Sequence, residues 1–478
     1  MSHSRRARPQ RTHTAHLAWA GLAYLAFVIY GSLVPLAFKP MPLSDAIATF
    51  QQVPFLQLGI GSRADWVANL LLFIPLIFLW SGALSYGRSG LVQAVVSIFL
   101  LAAAVALCVG IEFTQLFFPP RTVSQNDMLA ESLGGVLGIA AWWSVGPRWV
   151  RWYQGWHHAK APSEFSQRLA WAYLFAVFAY GVLPLDLTIS GVEIFHKWRE
   201  GKLNLLPFAS LPADPAYAVY ELATDVLLWL PLAFLWRLQP GRGNFQSWKM
   251  AFGAVCLLEG LQVFVYSRSS DVTDLFTGAV GAALGVWLAM RSGAAVEVGR
   301  TSSSRLADAV PRRIHTSFSW WPLLSALAWV GVLVGVFWYP FNFHADGMYL
   351  RERLEFLSHV PFVAYYYGTE FRAITEVFHK TLFFAPLGAF LAWFVAGTPW
   401  MWRIYATFVS FSLIFGAPML IEFGQMLLPE KHPDTTDWVL ECLGGVIGYI
   451  AFKRISRALR AHPVPARPVS AHSTRARR

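Results

Sequence analysis

The residues best placed to do chemistry in this chain are carboxylates embedded in apolar sequence, and they come in three sets. Glu112 is followed by Gln115, Arg121 and Asp127; Glu259 by Gln262, Arg268 and Asp274; Glu422 by Gln425, Lys431 and Asp437. The intervals are three, six and six residues in every set. A carboxylate in an apolar setting can serve as a general base, carry a proton or pair with a cation, and a neighbouring arginine or lysine is a ready contact for a phosphate. No serine, cysteine or histidine nucleophile is spaced to work with these glutamates, and no metal-ligand spacing occurs. The chemistry on offer is therefore charge pairing, proton handling or head-group binding. No residue is assigned a catalytic role, no metal or other cofactor is expected, and the balance leans away from an enzyme.

Helices must hold these residues. Positions three apart on a helix point the same way, so Glu112 with Gln115, like each counterpart pair, makes one polar stripe on an otherwise apolar helix. Of the 478 residues, 56% are hydrophobic and 14% charged, where a soluble domain has roughly a quarter charged. With 22 Trp, 37 Phe and 16 Tyr available for the two bilayer interfaces, this is a membrane composition. Stretches long enough to cross about 30 Å of hydrocarbon fall at 17–38, 66–84, 91–118, 128–146, 169–190, 223–238, 250–266, 272–290, 319–343, 381–398, 402–428 and 435–453. They predict an all-α polytopic membrane protein of about twelve transmembrane helices, in three parallel repeats of four. The first stretch follows an arginine-rich start but is long enough to span and lacks a small-residue cleavage site, so it is expected as a retained helix. Cys108, Cys256 and Cys442 lie in or beside apolar spans, and no disulfide is expected. The net charge of +11 sits in tails and loops, not on one face, so nucleic acid is not expected as a partner.

Orientation follows from those basic residues, because positive charge resists translocation. Arg5, Arg6, Arg8 and Arg11, then Arg148, Arg151, Lys160 and Arg168, then Arg291, Arg300, Arg305, Arg312 and Arg313, and the tail beyond Lys453 all fall on one side. Both termini are expected in the cytoplasm. The units are then 17–146, 169–290 and 319–453, with a basic N-terminus at 1–16, cytoplasmic linkers at 147–168 and 291–318, and a basic tail at 454–478. The linkers lack helical periodicity and are expected as loops or disorder.

Other marks repeat with the acids. Pro-Phe pairs at 54–55, 207–208 and 361–362 precede a second helix carrying Pro75, Pro231 or Pro386. The fourth helix carries Gly134 and Gly138, Gly281 and Gly285, or Gly444 and Gly448. Repetition of this fidelity means three copies of one unit. The "FIPL" segment of the second helix, the "IEFTQL" and "IEFGQM" ends of the third, the "RSSDVTD" loop and the glycine-rich fourth helix resemble the VanZ-like membrane proteins, named for a glycopeptide-resistance factor. The resemblance covers nearly the whole chain, three times over, with departures. The asparagine typical early in the second helix is Asn69, Asp225 or Lys380; the aspartate three before the last is Ser124, Asp271 or Asp434; a fourth-helix asparagine is Glu131, Gly278 or Glu441. The resemblance implies a cell-envelope protein of the bacterial inner membrane whose partners are membrane lipids, a lipid-linked envelope precursor or a lipoglycopeptide, and which lowers susceptibility to lipoglycopeptides such as teicoplanin.

Each glutamate lies six or seven residues inside the outer end of its span, about 10 Å deep at a rise of 1.5 Å per residue. A lone carboxylate there must pair, neutralise or face water. Glu112, Arg121 and Asp127 are therefore expected to form one cluster, with counterparts in the other units. As an interhelical clamp the cluster fixes a hairpin, with Asp127, Asp274 and Asp437 favourably placed at a helix start, and its retention in all three copies favours this reading. As an outward-facing site it binds a head group, with Arg121, Arg268 or Lys431 on the anion. The paired glycines let helix backbones approach closely, and the prolines suit either a cavity or packed neighbours. Two other functions stay open: an intramembrane enzyme acting on a lipid-linked substrate with a glutamate as base, and a transporter or flippase, against which three parallel repeats count.

Overall fold

The computed structural model describes residues 8–55, 59–119, 121–158, 162–183, 185–188, 190–239, 241–291, 319–344, 353, 362–363, 370–429, 431 and 434–460. Fourteen helices among these residues follow one path three times. The first unit comprises α1 (Arg8–Leu33), a short α2 (Leu43–Gln51), α3 (Ile60–Ser85), α4 (Gly90–Gln115) and α5 (Gln125–His158). The second comprises α6 (Pro162–Val182), a short α7 (Gly191–Arg199), α8 (Pro215–Arg237), α9 (Asn244–Gln262) and α10 (Val272–Arg291). The third comprises α11 (Trp321–Trp338), α12 (Glu370–Gly397), α13 (Arg403–Met426) and α14 (Thr435–Arg460). A two-residue parallel pairing, β1 (Leu203–Asn204) with β2 (Ser270–Asp271), is the one sheet among the described residues.

Nine of these helices are long and apolar enough to cross a membrane. α6, α9 and α14 occupy the other three expected positions; they carry Glu164 and Arg168, Lys249 and Glu259, and Asp437, Glu441 and Lys453. The stretch 147–168, expected as a loop, is mostly helix: α5 continues through Pro147 to His158, and α6 begins at Pro162. Aromatic packing carries α5 past the apolar span, with Trp149 edge-on to Phe78 and stacked on Tyr153. The second expected linker, 291–318, lies outside the described residues but for Arg291, which ends α10, and the expected tail, 454–478, is described only as far as 460, where α14 ends.

In lipid no hydrophobic force drives helices together, so close van der Waals approach must do so. The second and fourth helices of each unit supply it. A Cβ on Gly138 would lie 2.7 Å from the Ile74 carbonyl oxygen; Gly134, Gly281, Gly285, Gly444 and Gly448 likewise face the carbonyls of Leu70, Val226, Leu230, Thr381 and Ala385. Around this contact Phe73, Leu76 and Cys108 fill the first core, Trp229, Leu232 and Val255 the second, and Phe384, Leu387 and Ile414 the third. Leu91, Ile98 and Phe99 on α4, and Ile404 and Phe408 on α13, stay exposed, as lipid-facing residues do.

Each unit has one end at its two termini and a distal end at the third-to-fourth helix loop, which α2 joins in the first unit and α7 in the second. The chain reaches the distal end through a bulky residue at positive φ: Leu36 at 62°, Leu185 at 64°, Phe341 at 65°. This conformation is costly without glycine and persists only when surrounding contacts fix it. Three residues on, an amide anchors to a carbonyl just past the third helix: Lys39 to Phe117 at 2.7 Å, Thr188 to Phe264 at 2.9 Å, His344 to Leu427 at 2.7 Å. The units also touch one another. Arg63 pairs with Glu193 at 3.1 Å, the Tyr339 hydroxyl donates to Asp214 at 2.6 Å, and Tyr30 meets Phe362 edge-on, so that each unit contacts the other two.

Candidate functional site

At each distal end the third helix stops about one turn after its glutamate, at Gln115, Gln262 or Met426. The carboxylate is therefore roughly 5 Å from the helix end at 1.5 Å per residue. It is shallower than expected because the chain turns off to meet the exit of the first helix. Each carboxylate accepts the backbone amide of the residue twelve positions on: Ser124 to Glu112 at 3.2 Å, Asp271 to Glu259 at 3.3 Å, Asp434 to Glu422 at 3.2 Å. Those residues cap the fourth helix. Ser124 Oγ accepts from the Asp127 amide at 3.1 Å and donates to Asp127 Oδ2 at 2.6 Å; Asp271 and Asp434 accept from the amides of Thr273 and Thr436 at 2.7 and 2.8 Å. In a capping box the cap's own amide goes to a glutamate on the same helix. Here the glutamate comes from the helix before, which locks the hairpin. Serine at 124 keeps the job because serine and aspartate rank alike as caps. A serine does reach one glutamate, contrary to expectation: Ser270 Oγ lies 3.3 Å from Glu259 Oε2 and 3.2 Å from the Glu259 carbonyl, closing the same loop.

The glutamines tie the third helix to the first. Gln115 Nε2 donates to the Ser32 carbonyl at 2.9 Å and Gln262 Nε2 to the Gly181 carbonyl at 3.1 Å, while Gln425 is buried. The last aspartate of each set turns to the second helix. Asn69 Nδ2 donates to Asp127 Oδ1 at 2.8 Å, Lys380 forms an ion pair with Asp437, and the carboxyl group of Asp225 lies beside that of Asp274. The divergent second-helix residues thus perform one task with three chemistries. One turn along the fourth helix, Glu131 and Glu441 are buried with Glu112 and Glu422 as neighbouring carboxylates, and neither Glu441 oxygen has a hydrogen-bond partner among the described residues.

The basic residues are arranged differently. Arg268 turns away from Glu259: its Nε donates to the Leu183 carbonyl at 3.0 Å, its guanidinium also reaches the Tyr180 carbonyl, and it lies 4.9 Å over the Tyr180 ring. Burial pushes its pKa down, opposed by the nearby Tyr180 side chain. Lys431 offers its carbonyl to Arg353. Arg121 stays within the field of Glu112 and lines a cavity of about 480 Å³. The wall of that cavity is Ala48, Thr49 and Gln52 from α2 and its end, Gln115 and Leu116 from the end of α4, and Arg121 from the loop. The single expected cluster is thus two arrangements: a glutamate, cap and aspartate network bound to the second helix, and basic residues set outside it.

Two buried cations escaped the sequence reading. Lys197, from α7, donates to the carbonyls of Gln262, Val263 and Val265. Arg353 donates to the carbonyls of Lys431, Pro429 at 2.8 Å and Leu428 at 3.4 Å. Both sit on carbonyls at or just past the end of the third helix, and at Gln262, Val265 and Leu428 they add a second donor to a backbone amide. In sequence a lysine on a short polar-faced helix looks like any interfacial charge; the signal lay in its equal distance from the exit anchor in two units.

A model described as VanZ/LLP1 matches the chain at residues 17–146, 170–293 and 326–457. No curated protein and no solved structure matches it.

Proposed function

The chain belongs to the VanZ/LLP1 family, as three tandem units of one membrane protein, and from that premise we propose that it binds the head group of an envelope amphiphile in the distal cavity of its first unit. The distal ends face outward in this reading and both termini lie in the cytoplasm of a bacterial inner membrane, in keeping with the one-sided Lys and Arg. The observation that carries the reading is the cavity itself. It is about 480 Å³, walled by apolar Ala48, Val53 and Leu116, with Arg121 as a fixed cation suited to a phosphate or carboxylate. The three glutamate networks already have a task in closing helix ends, so they serve as scaffold.

Holding an envelope lipid, a lipid-linked precursor or a lipoglycopeptide at this face is the step through which the protein lowers susceptibility to lipoglycopeptides such as teicoplanin. Expression of the wild type, Arg121→Ala and Glu112→Gln in a susceptible host tests this. The wild type raises the teicoplanin inhibitory concentration several-fold, Arg121→Ala loses the effect at equal protein level, and Glu112→Gln retains it. Wild-type expression without effect removes the resistance reading, and full activity in Arg121→Ala removes the cavity.

A further inference from the structure

The exit anchors align the three units residue by residue. Lys39, Thr188 and His344 occupy one position, and nine residues on stand Ala48, Lys197 and Arg353. In the second and third units that position is a buried cation on carbonyls at or just past the end of the third helix. In the first unit it is alanine, and Ala48 lines the cavity.

The carbonyls themselves are the same in both settings. Gln262 and Val265 carbonyls accept amides from Val265 and Arg268 at 3.1 and 3.3 Å, and each takes Lys197 Nζ as a second donor. Gln115 and Phe118 carbonyls accept amides from Phe118 and Arg121 at 2.8 Å, and no side chain of the described residues donates to either. Independently, Gln115 lines the cavity, and its side-chain Oε1 is buried without a hydrogen-bond partner among the described residues. A buried acceptor left unmade is costly, and Gln115 and Leu116, which line the cavity, are the counterparts of Gln262 and Val263, whose carbonyls accept from Lys197 in the second unit.

We infer that the cavity of the first unit receives a primary ammonium group, carried by an amphiphile and seated where Lys197 Nζ sits in the second unit. Arg121 on the same wall meets an adjacent anion, so a zwitterionic head of the ethanolamine phosphate type fits the pair. The inference rests on the amphiphile reading above and specifies the head group. A trimethylated head has no N–H to give these carbonyls, and a purely anionic head has no cation.

Native mass spectrometry of the full-length protein in detergent tests this with three dioleoyl lipids: phosphatidylethanolamine, phosphatidylcholine and phosphatidylglycerol. The wild type is expected to retain phosphatidylethanolamine about tenfold better than phosphatidylcholine, the scale of one hydrogen bond from a charged donor. Ala48→Lys and Ala48→Arg, which supply the cation internally, are expected to abolish that preference with an unchanged or raised melting temperature. Competition on the wild type needs no variant: soluble phosphoethanolamine displaces bound lipid and phosphocholine does not. Equal retention of the three lipids, equal displacement, or a preference surviving in folded Ala48→Lys overturns the ammonium site while leaving amphiphile binding intact. Failure to bind any of the three lipids overturns the amphiphile reading with it.

Discussion

A carboxylate whose work is to accept one backbone amide can be exchanged for an amide at small cost, because glutamine offers the same oxygen. Glu112→Ala leaves the Ser124 amide buried and unmet, and is expected to destabilise by about 1–3 kcal/mol. Glu112→Gln should cost clearly less, and denaturant melts in detergent compare the two. The pairing of Lys380 with Asp437 makes a second residue-level prediction. Lys380→Ala strands a buried aspartate, at about 3–5 kcal/mol, whereas Lys380→Asn rebuilds the contact that Asn69 makes to Asp127 and should recover most of the loss. Burial holds the Lys197 pKa down to about 8 against 10.5 for the free side chain. Between those values the unfolded chain binds a proton that the folded chain has released, so stability rises with pH across that window. Lys197→Met should flatten the rise, and a wild type that already lacks it contradicts the burial.

Helices pack here through backbone contact. Gly138→Leu must push α5 off the Ile74 carbonyl, an overpacking worth about 1–3 kcal/mol. Gly110→Ala, with nothing within 4 Å of its new methyl group, should keep or raise the melting temperature, since alanine favours the helix. The glycine pairs were legible in the sequence because their spacing alone states the contact. The helix ends were not. The spans 17–38, 169–190 and 319–343 run past Leu33, Val182 and Trp338, since a proline and a bulky apolar residue at positive φ look in sequence like more of the same apolar run. The extension of α5 was hidden for the opposite reason: Trp149 and Tyr153 sit among arginines, and their stacking outweighs the polar composition. At the site, the acids and their spacing were visible, yet the partner of each glutamate is a backbone amide, which no residue type announces.

Across the whole molecule, three copies of one scaffold contact each other, and divergence acts on what the scaffold presents. Asn69, Asp225 and Lys380 vary the charge beside a constant aspartate; Ala48, Lys197 and Arg353 vary whether the end of the third helix is filled. The open position falls in one unit, and an alanine gives no sign of the space it leaves. An asymmetric protein is therefore expected from a symmetric repeat. Photo-crosslinking of the membrane-embedded protein with a diazirine-bearing phospholipid, followed by peptide mapping, tests this most directly. Head-group labels should concentrate on 46–54 and 115–123. Equal labelling of 195–208 with 262–270 and of 353–363 with 425–434, or no label in the first unit, would contradict it.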